Sequence, residues 1–353
     1  MAKSEYYVDP LNGSDTTGDG LSDATAWQTV QHALNNITKN VTDGDRINVK
    51  DTADDVLTAQ LNFSTIGNYN LTFPLLIEGY TSTAGDGGVG GISGGGTTGI
   101  ITTQRNYIGF RNMHLHNTGA NAIINIKRSA VEGCEFNGSS STTGVAVSEG
   151  ACCDSYFHDL SGDGLSIAGG VAIGNYFKQG ATNSFGSALY ANTNSFVVCN
   201  IISVDGASNG IETSTNPCTV ANNSILGDGG SGAGILVNGN NYASNYVNNL
   251  IEGFAHGIYK RSRDMAIVSS NTAFDCNIGF DFSAEFIISN DNTEPAGSPF
   301  SKSGSDTFAN RFTYFEPVSA NAGTNTSGNG SRGAVANPSG GGETSPKHPL
   351  SRF

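Results

Sequence analysis

Short apolar runs, each opened by glycine or a small polar residue, recur along the middle of the chain. They read Gly144-Val-Ala-Val, Gly164-Leu-Ser-Ile, Ser187-Ala-Leu-Tyr, Gly210-Ile-Glu-Thr, Gly234-Ile-Leu-Val, Gly257-Ile-Tyr-Lys and Gly279-Phe-Asp-Phe, at intervals of 20, 23, 23, 24, 23 and 22 residues. A second series keeps the same period between them: Asn112, Cys134, Ser155, Asn175, Asn200, Asn223, Asn249 and Asn271. Most of these stand two positions before an apolar residue such as Phe136, Phe157, Phe177, Ile202, Ile225 or Ile251. A repeat of this length, built from short β segments without helical periodicity, is what a right-handed parallel β-helix requires. A leucine-rich repeat shares the period but needs a leucine-spaced consensus, and leucine is scarce here.

In a β-helix, inward side chains stack at about 4.8 Å per rung, so like residues lie over like. The spacing predicts nine or ten coils, with Asn175, Asn200, Asn223, Asn249 and Asn271 stacked as a ladder at a tight turn that favours left-handed or bridge dihedrals. Cys134 and Ser155 replace asparagine in two earlier rungs.

The regular coils are expected from about Ile100 to Ser289, inside a β-helix of residues 51–290. Residues 1–50 form the cap: Trp27, Val30, Ala33, Leu34 and Ile37 fall on one face of a short amphipathic helix that would cover the end of the stack. The glycine-rich stretch 85–99 reads as a flexible excursion; it lacks the Gly-Lys-Ser/Thr and the βαβ context of a phosphate loop. Residues 291–319 read as a closing segment, and 320–353 as an extended tail rich in glycine, serine and asparagine. Leu350, Arg352 and Phe353 are its candidate assembly contacts.

Composition agrees with an all-β solenoid. Glycine occupies 48 of 353 positions and charged residues only 14%, which means many turns and few surface helices, while 37% hydrophobic residues suffice for a long core. The net charge of −14 argues against nucleic acid or an anionic membrane as partner. No apolar stretch is long enough to span a bilayer. The sequence from Met1 shows no apolar leader segment, so export is not expected. Six scattered cysteines (Cys134, Cys152, Cys153, Cys199, Cys218, Cys276) read as buried free thiols suited to a reducing compartment.

Residues Tyr7-Val8-Asp9 through Gly13, Asp15 and Gly18, then Trp27, Ala33-Leu34 and Gly44-Asp-Arg-Ile-Asn-Val49, resemble the opening of pectate-lyase-like right-handed β-helix proteins. Ala26 stands where that pattern usually has proline. Phe73-Pro-Leu-Leu-Ile-Glu-Gly-Tyr80 resembles the next rung. The resemblance is strongest to β-helix proteins of bacteriophage virions, and it implies either a structural role or cleavage of polysaccharides.

Cleavage needs a calcium-binding carboxylate cluster with a base, or paired carboxylates spaced for hydrolysis. Asp154, His158, Asp159 and Asp163 fall within ten residues and could share a groove, with Lys178 one rung on. Turn chemistry also accounts for them, since Asp163-Gly164 occupies the place of Asn209-Gly210 and His256-Gly257 in later coils. Asp205, Glu212, Asp228 and Glu252 are further carboxylates that could pair along the stack. His114 and His116 would share a strand face without an evident third metal ligand. Asp9, Asn12, Asp15 and Asp19 read as turn formers, and Lys260-Arg-Ser-Arg263 as a solvated basic run.

No cofactor or metal is expected. The favoured function is a bacteriophage virion structural protein, a head decoration, fibre or tailspike-like element made in the host cytoplasm, leaning away from catalysis. Its expected partners are capsid or tail proteins reached through the tail, other copies of itself, and a host or environmental glycan. The alternatives are a polysaccharide lyase or glycoside hydrolase, and a carbohydrate-binding adhesion module.

Overall fold

The computed structural model describes residues 4–295, apart from residues 41, 65–68, 96–98, 118, 120–121, 139–142, 181–184, 206–207, 215–216, 239–243, 262–265, 283–286 and 291. The tail 320–353, with Leu350, Arg352 and Phe353, lies outside the described residues, as does nearly all of the closing segment.

The chain winds as a right-handed parallel β-helix with three faces. Among the described residues, sheet I has 12 strands, sheet II 10 and sheet III 9. One coil visits each in turn, as Ala130–Glu132, Glu135–Asn137 and Thr143–Ser148 do. Every strand pairs in parallel with its counterpart one coil away. Alternate residues point inward, so the period-two pattern becomes columns of buried side chains. Phe136, Phe157 and Phe177 form one column, with stacked ring centroids 5.0 and 4.6 Å apart.

The asparagines lie at the corner between sheets I and II. Asn175 Nδ2 donates to Asn200 Oδ1 (3.0 Å) and to the Cys152 carbonyl (2.9 Å), and the Asn175 backbone N–H donates to the same Asn200 oxygen (3.0 Å). The pattern repeats through Asn223, Asn249 and Asn271, and Asn292 adds a further rung. Ser155 and Cys134 continue the column upward: the Ser155 N–H donates to Asn175 Oδ1, and the Cys134 N–H to Ser155 Oγ. Asn112 does not belong to this column. It occupies the position before it, where Asn112, Gly133, Asp154, Gly174, Cys199 and Asn222 all have φ between +48° and +69°. Met113 takes the ladder place in that coil, paired with Gly90 of the preceding strand.

The amino-terminal residues contribute rungs as well as the cap, because Ser4–Val8 and Asp45–Lys50 are the first two strands of sheet I. Helix α1 (Val30–Asn36) is capped by Thr29, whose side chain accepts from the His32 N–H. It buries Val30, Ala33 and Leu34 beside Trp27, which stacks on Tyr6 at 5.8 Å.

Two expectations need correction. The stretch 85–99 is not simply an excursion, since Gly90–Ser93 is a buried strand of sheet II. A Cβ at Gly90 would run into the Val49 carbonyl oxygen, so packing demands glycine there, whereas one at Gly91 would meet only the movable Asp54 carboxylate. Lys260 is not solvated: it closes the strand His256–Lys260 and is fully buried. The period placed it correctly, but its inward phase decides its environment.

Candidate functional site

The segment Asp154 to Asp163 wraps around the rod rather than lining one groove. Asp154 sits at the corner between sheets I and II with φ +48°, its carboxylate over Gly174. His158 ends the strand Tyr156–His158 on sheet II, and Asp159 follows in a left-handed turn at φ +52°. Asp163 opens the strand Asp163–Ala168 on sheet III. Two separate polar sites result.

On sheet II, His158 bridges two carboxylates. Its Nε2 is 2.9 Å from Glu135 Oε1 and its Nδ1 2.7 Å from Asp159 Oδ2. Burial alone would depress this imidazole, but Glu135 and Asp159 outweigh it and hold the pKa above the usual value. Tyr156 stacks on the His158 ring at 4.4 Å and on Tyr176 at 5.3 Å. Lys178 is in register with His158 on the next coil. With both ring nitrogens engaged, His158 has no position left for a substrate proton and acts as a clamp. Two coils before His158, His114 Nδ1 is 3.6 Å from Asp54 Oδ1, and that carboxylate raises the imidazole pKa. His116 Nδ1 meets Asn137 Oδ1, and the His114 and His116 rings are 6.0 Å apart. Among the described residues, no three histidines, cysteines or carboxylates are grouped so as to hold a metal ion. In the loop near the amino terminus, Asp9, Asp15 and Asp19 accept from the backbone N–H groups of Leu11, Gln28 and Leu21.

On sheet III the strands Asp163–Ala168, Ser187–Asn192 and Asn209–Thr213 lie side by side and bring Asp163, Ser187 and Glu212 together. Ser187 Oγ donates to Glu212 Oε2 (2.8 Å), and Asn238 Nδ2 donates to Glu212 Oε1 (3.1 Å). Burial, and then the charge of Glu212, push the Asp163 carboxyl up to about 6, against a hydrogen bond from the Ser187 backbone that favours its ionised form. Two interacting carboxyls, one biased toward its protonated form, can share acid and base roles. Farther along this sheet, His256 contacts Asp281 at 3.2 Å and stacks on Tyr259 at 4.4 Å.

The structure therefore joins one member of each candidate group, Asp163 and Glu212, and separates Asp163 from Asp154, His158 and Asp159. Asp205 is held by Gln179 and Ser208, while Glu252 is buried on sheet II. The alternation in Gly210-Ile-Glu-Thr already marks Glu212 as outward beside Tyr190; only the phase relating it to Asp163 was missing.

Among solved structures, the chain is similar to the pectate lyase Pel9A with TM-score 0.66 and 14% identity, over 95% of this chain and 96% of that one. The fold is the pectate-lyase-like β-helix. XylC in complex with xylose is also similar, with TM-score 0.50 and 8% identity over 83% of this chain and 87% of that one. ORF18 of Geobacillus virus E2 gives TM-score 0.43 and 13% identity over 82% of this chain and 60% of that one. No family model matches the chain. No curated protein matches it either.

Proposed function

We propose that this protein is a bacteriophage virion component, a rigid β-helical rod that engages glycans along its outward sheet faces. The observation that carries the reading is the change of composition after the coils. The coils bury apolar columns behind all three sheets, whereas residues 320–353 are rich in glycine, serine and asparagine and have Val335 as their one large apolar residue before Leu350. A segment so poor in apolar residues has little core of its own to fold around, and a rod that carries such an arm suits a particle appendage. Glycan engagement is supported by the likeness in fold to a pectate lyase over nearly the whole chain. Leu350 and Phe353 would anchor the attachment, with Arg352 between them. Deleting residues 321–353 is expected to leave a folded β-helix, seen as an unchanged β circular-dichroism spectrum, that no longer co-sediments with particles assembled in the host. Undiminished incorporation would defeat the attachment reading.

A second reading, glycoside hydrolysis, is favoured by one observation: Asp163, raised to about 6, interacts with Glu212 on one sheet face. In that reading Asp163 protonates the leaving oxygen, and Glu212 acts as nucleophile or activates water.

A further inference from the structure

The outer face of sheet I carries a trench of about 460 Å³, within the size range of small-molecule sites. Its floor is Gly109, Ala130, Ala151 and Val171, one residue per coil, in register along the axis. One wall is Tyr107, Arg128 and Glu149; Arg111 and Glu132 stand on the other. The floor is low because its side chains are small, and the walls are high because theirs are long. The first wall is set by backbone conformation. Tyr107, Arg128 and Glu149 lie on successive coils at φ +59°, +51° and +49°, a region that glycine enters at no steric cost. Large side chains retained in such a conformation point to a use for them.

The walls carry matched charge. Arg128 Nε is 2.7 Å from Glu149 Oε2, and Arg111 Nε is 3.0 Å from Glu132 Oε2. Both pairs run along the trench inside wider networks, since Glu149 Oε1 also meets Lys127 Nζ at 2.7 Å and Arg111 Nη1 lies 3.6 Å from Glu78 Oε1, so the charge of the walls is balanced. An ionic ligand would have to break them, and an anionic one would also be repelled by a chain with net charge −14. A neutral, hydroxyl-rich ligand can use the remaining guanidinium donors and carboxylate lone pairs without disturbing either pair. One coil beyond Val171 and in register with it, Phe196 is 52% exposed and offers an aromatic face at the end of the floor.

We infer that this trench binds a neutral linear oligosaccharide aligned with the rod axis, the apolar faces of its rings on the glycine and alanine floor and its hydroxyls on the two ion-paired walls. Coils repeat every ~4.8 Å, so four of them accommodate a few pyranose units. The inference rests on the glycan-engaging reading above and names for it a site distinct from Asp163 and Glu212.

The test is calorimetric titration of the full chain with maltohexaose, cellohexaose and xylohexaose, and with oligogalacturonate as the acidic comparison. At least one neutral hexasaccharide should bind saturably. Ala151→Trp, which fills the floor, should weaken it at least tenfold, Phe196→Ala severalfold, and Ile278→Ala, exposed on sheet III away from the trench, less than twofold. Should Ala151→Trp fail to fold, Arg128→Ala with Phe196→Ala gives the same reading. Neutral-sugar binding that survives these variants overturns the trench. Binding of oligogalacturonate alone overturns the trench while leaving the broader glycan reading intact. Binding by none of the four probes overturns both.

Discussion

Asn223 uses its whole side-chain amide in the ladder. Nδ2 reaches the carbonyls of Val197 (3.0 Å) and Ala221 (3.1 Å) and Asn249 Oδ1 (2.9 Å), while Oδ1 accepts from the Asn200 backbone (2.9 Å) and side chain (3.0 Å). Asn223→Leu would fill similar space yet strand buried donors and acceptors on three coils. Each stranded group costs about 1–3 kcal/mol, so a loss of about 3 kcal/mol or more is expected in urea denaturation. Asn292→Ala, at the edge of the ladder, should cost clearly less. Equal losses at both positions would show that the ladder does not act as a cooperative column. The ladder was legible in sequence because the period repeats five times, and the slip at Asn112 has a physical cause. Asparagine suits both adjacent corner positions: it tolerates the left-handed conformation, and it bonds along the stack. Asn222-Asn223 and Asn248-Asn249 fill both, whereas Asn112 fills only the first.

At the scale of the strand, phase matters more than period. Spacing alone located the segments of sheets II and III, yet it grouped Asp154, His158, Asp159 and Asp163, which three short strands and two left-handed corners distribute around the rod. A coil turns its direction at each corner, so closeness in sequence does not survive as closeness on a face, and residues a full coil apart do meet. Glu212 reaches Ser187 in this way across 25 positions. The same logic hid the strand Gly90–Ser93, whose Gly90 answers to neighbouring backbone rather than to flexibility. If the sheet III pair is hydrolytic, wild-type protein should release reducing ends from a susceptible glycan. Asp163→Asn and Glu212→Gln should each lower that rate at least a hundredfold, while Asp159→Asn, on another face, should leave it within a few fold. Equal losses from Asp159→Asn and Asp163→Asn would restore the single-groove arrangement that the strands contradict.

For the whole molecule, the titrating groups converge on a stability maximum in mild acid. Burial raises Asp163 and Asp55 to about 6, above the ~3.9 of an unfolded aspartate. Between those values the folded state holds protons that the unfolded chain has released, so stability falls as pH rises through this window. His114 and His158 act in the same direction at higher pH. Their carboxylate partners raise them above the ordinary histidine value, giving a stabilisation that is complete below about 6.5 and lost as pH rises through the folded pKa. Asp23, held down by its hydrogen bond from Lys50, and Glu135, held down by His158, work oppositely: their contribution is present above about 4.5 and disappears as pH falls. Self-repulsion in a chain of net charge −14 also grows with pH. Thermal melts should therefore give the highest Tm near pH 5, with lower values at both pH 3.5 and pH 8. Asp163→Asn should flatten the alkaline side of that profile without moving the acid side, because it removes one proton that only the folded state retains. A Tm that climbs steadily to pH 8, in wild type and variant alike, would mean that these raised carboxyls and imidazoles do not govern the rod's stability.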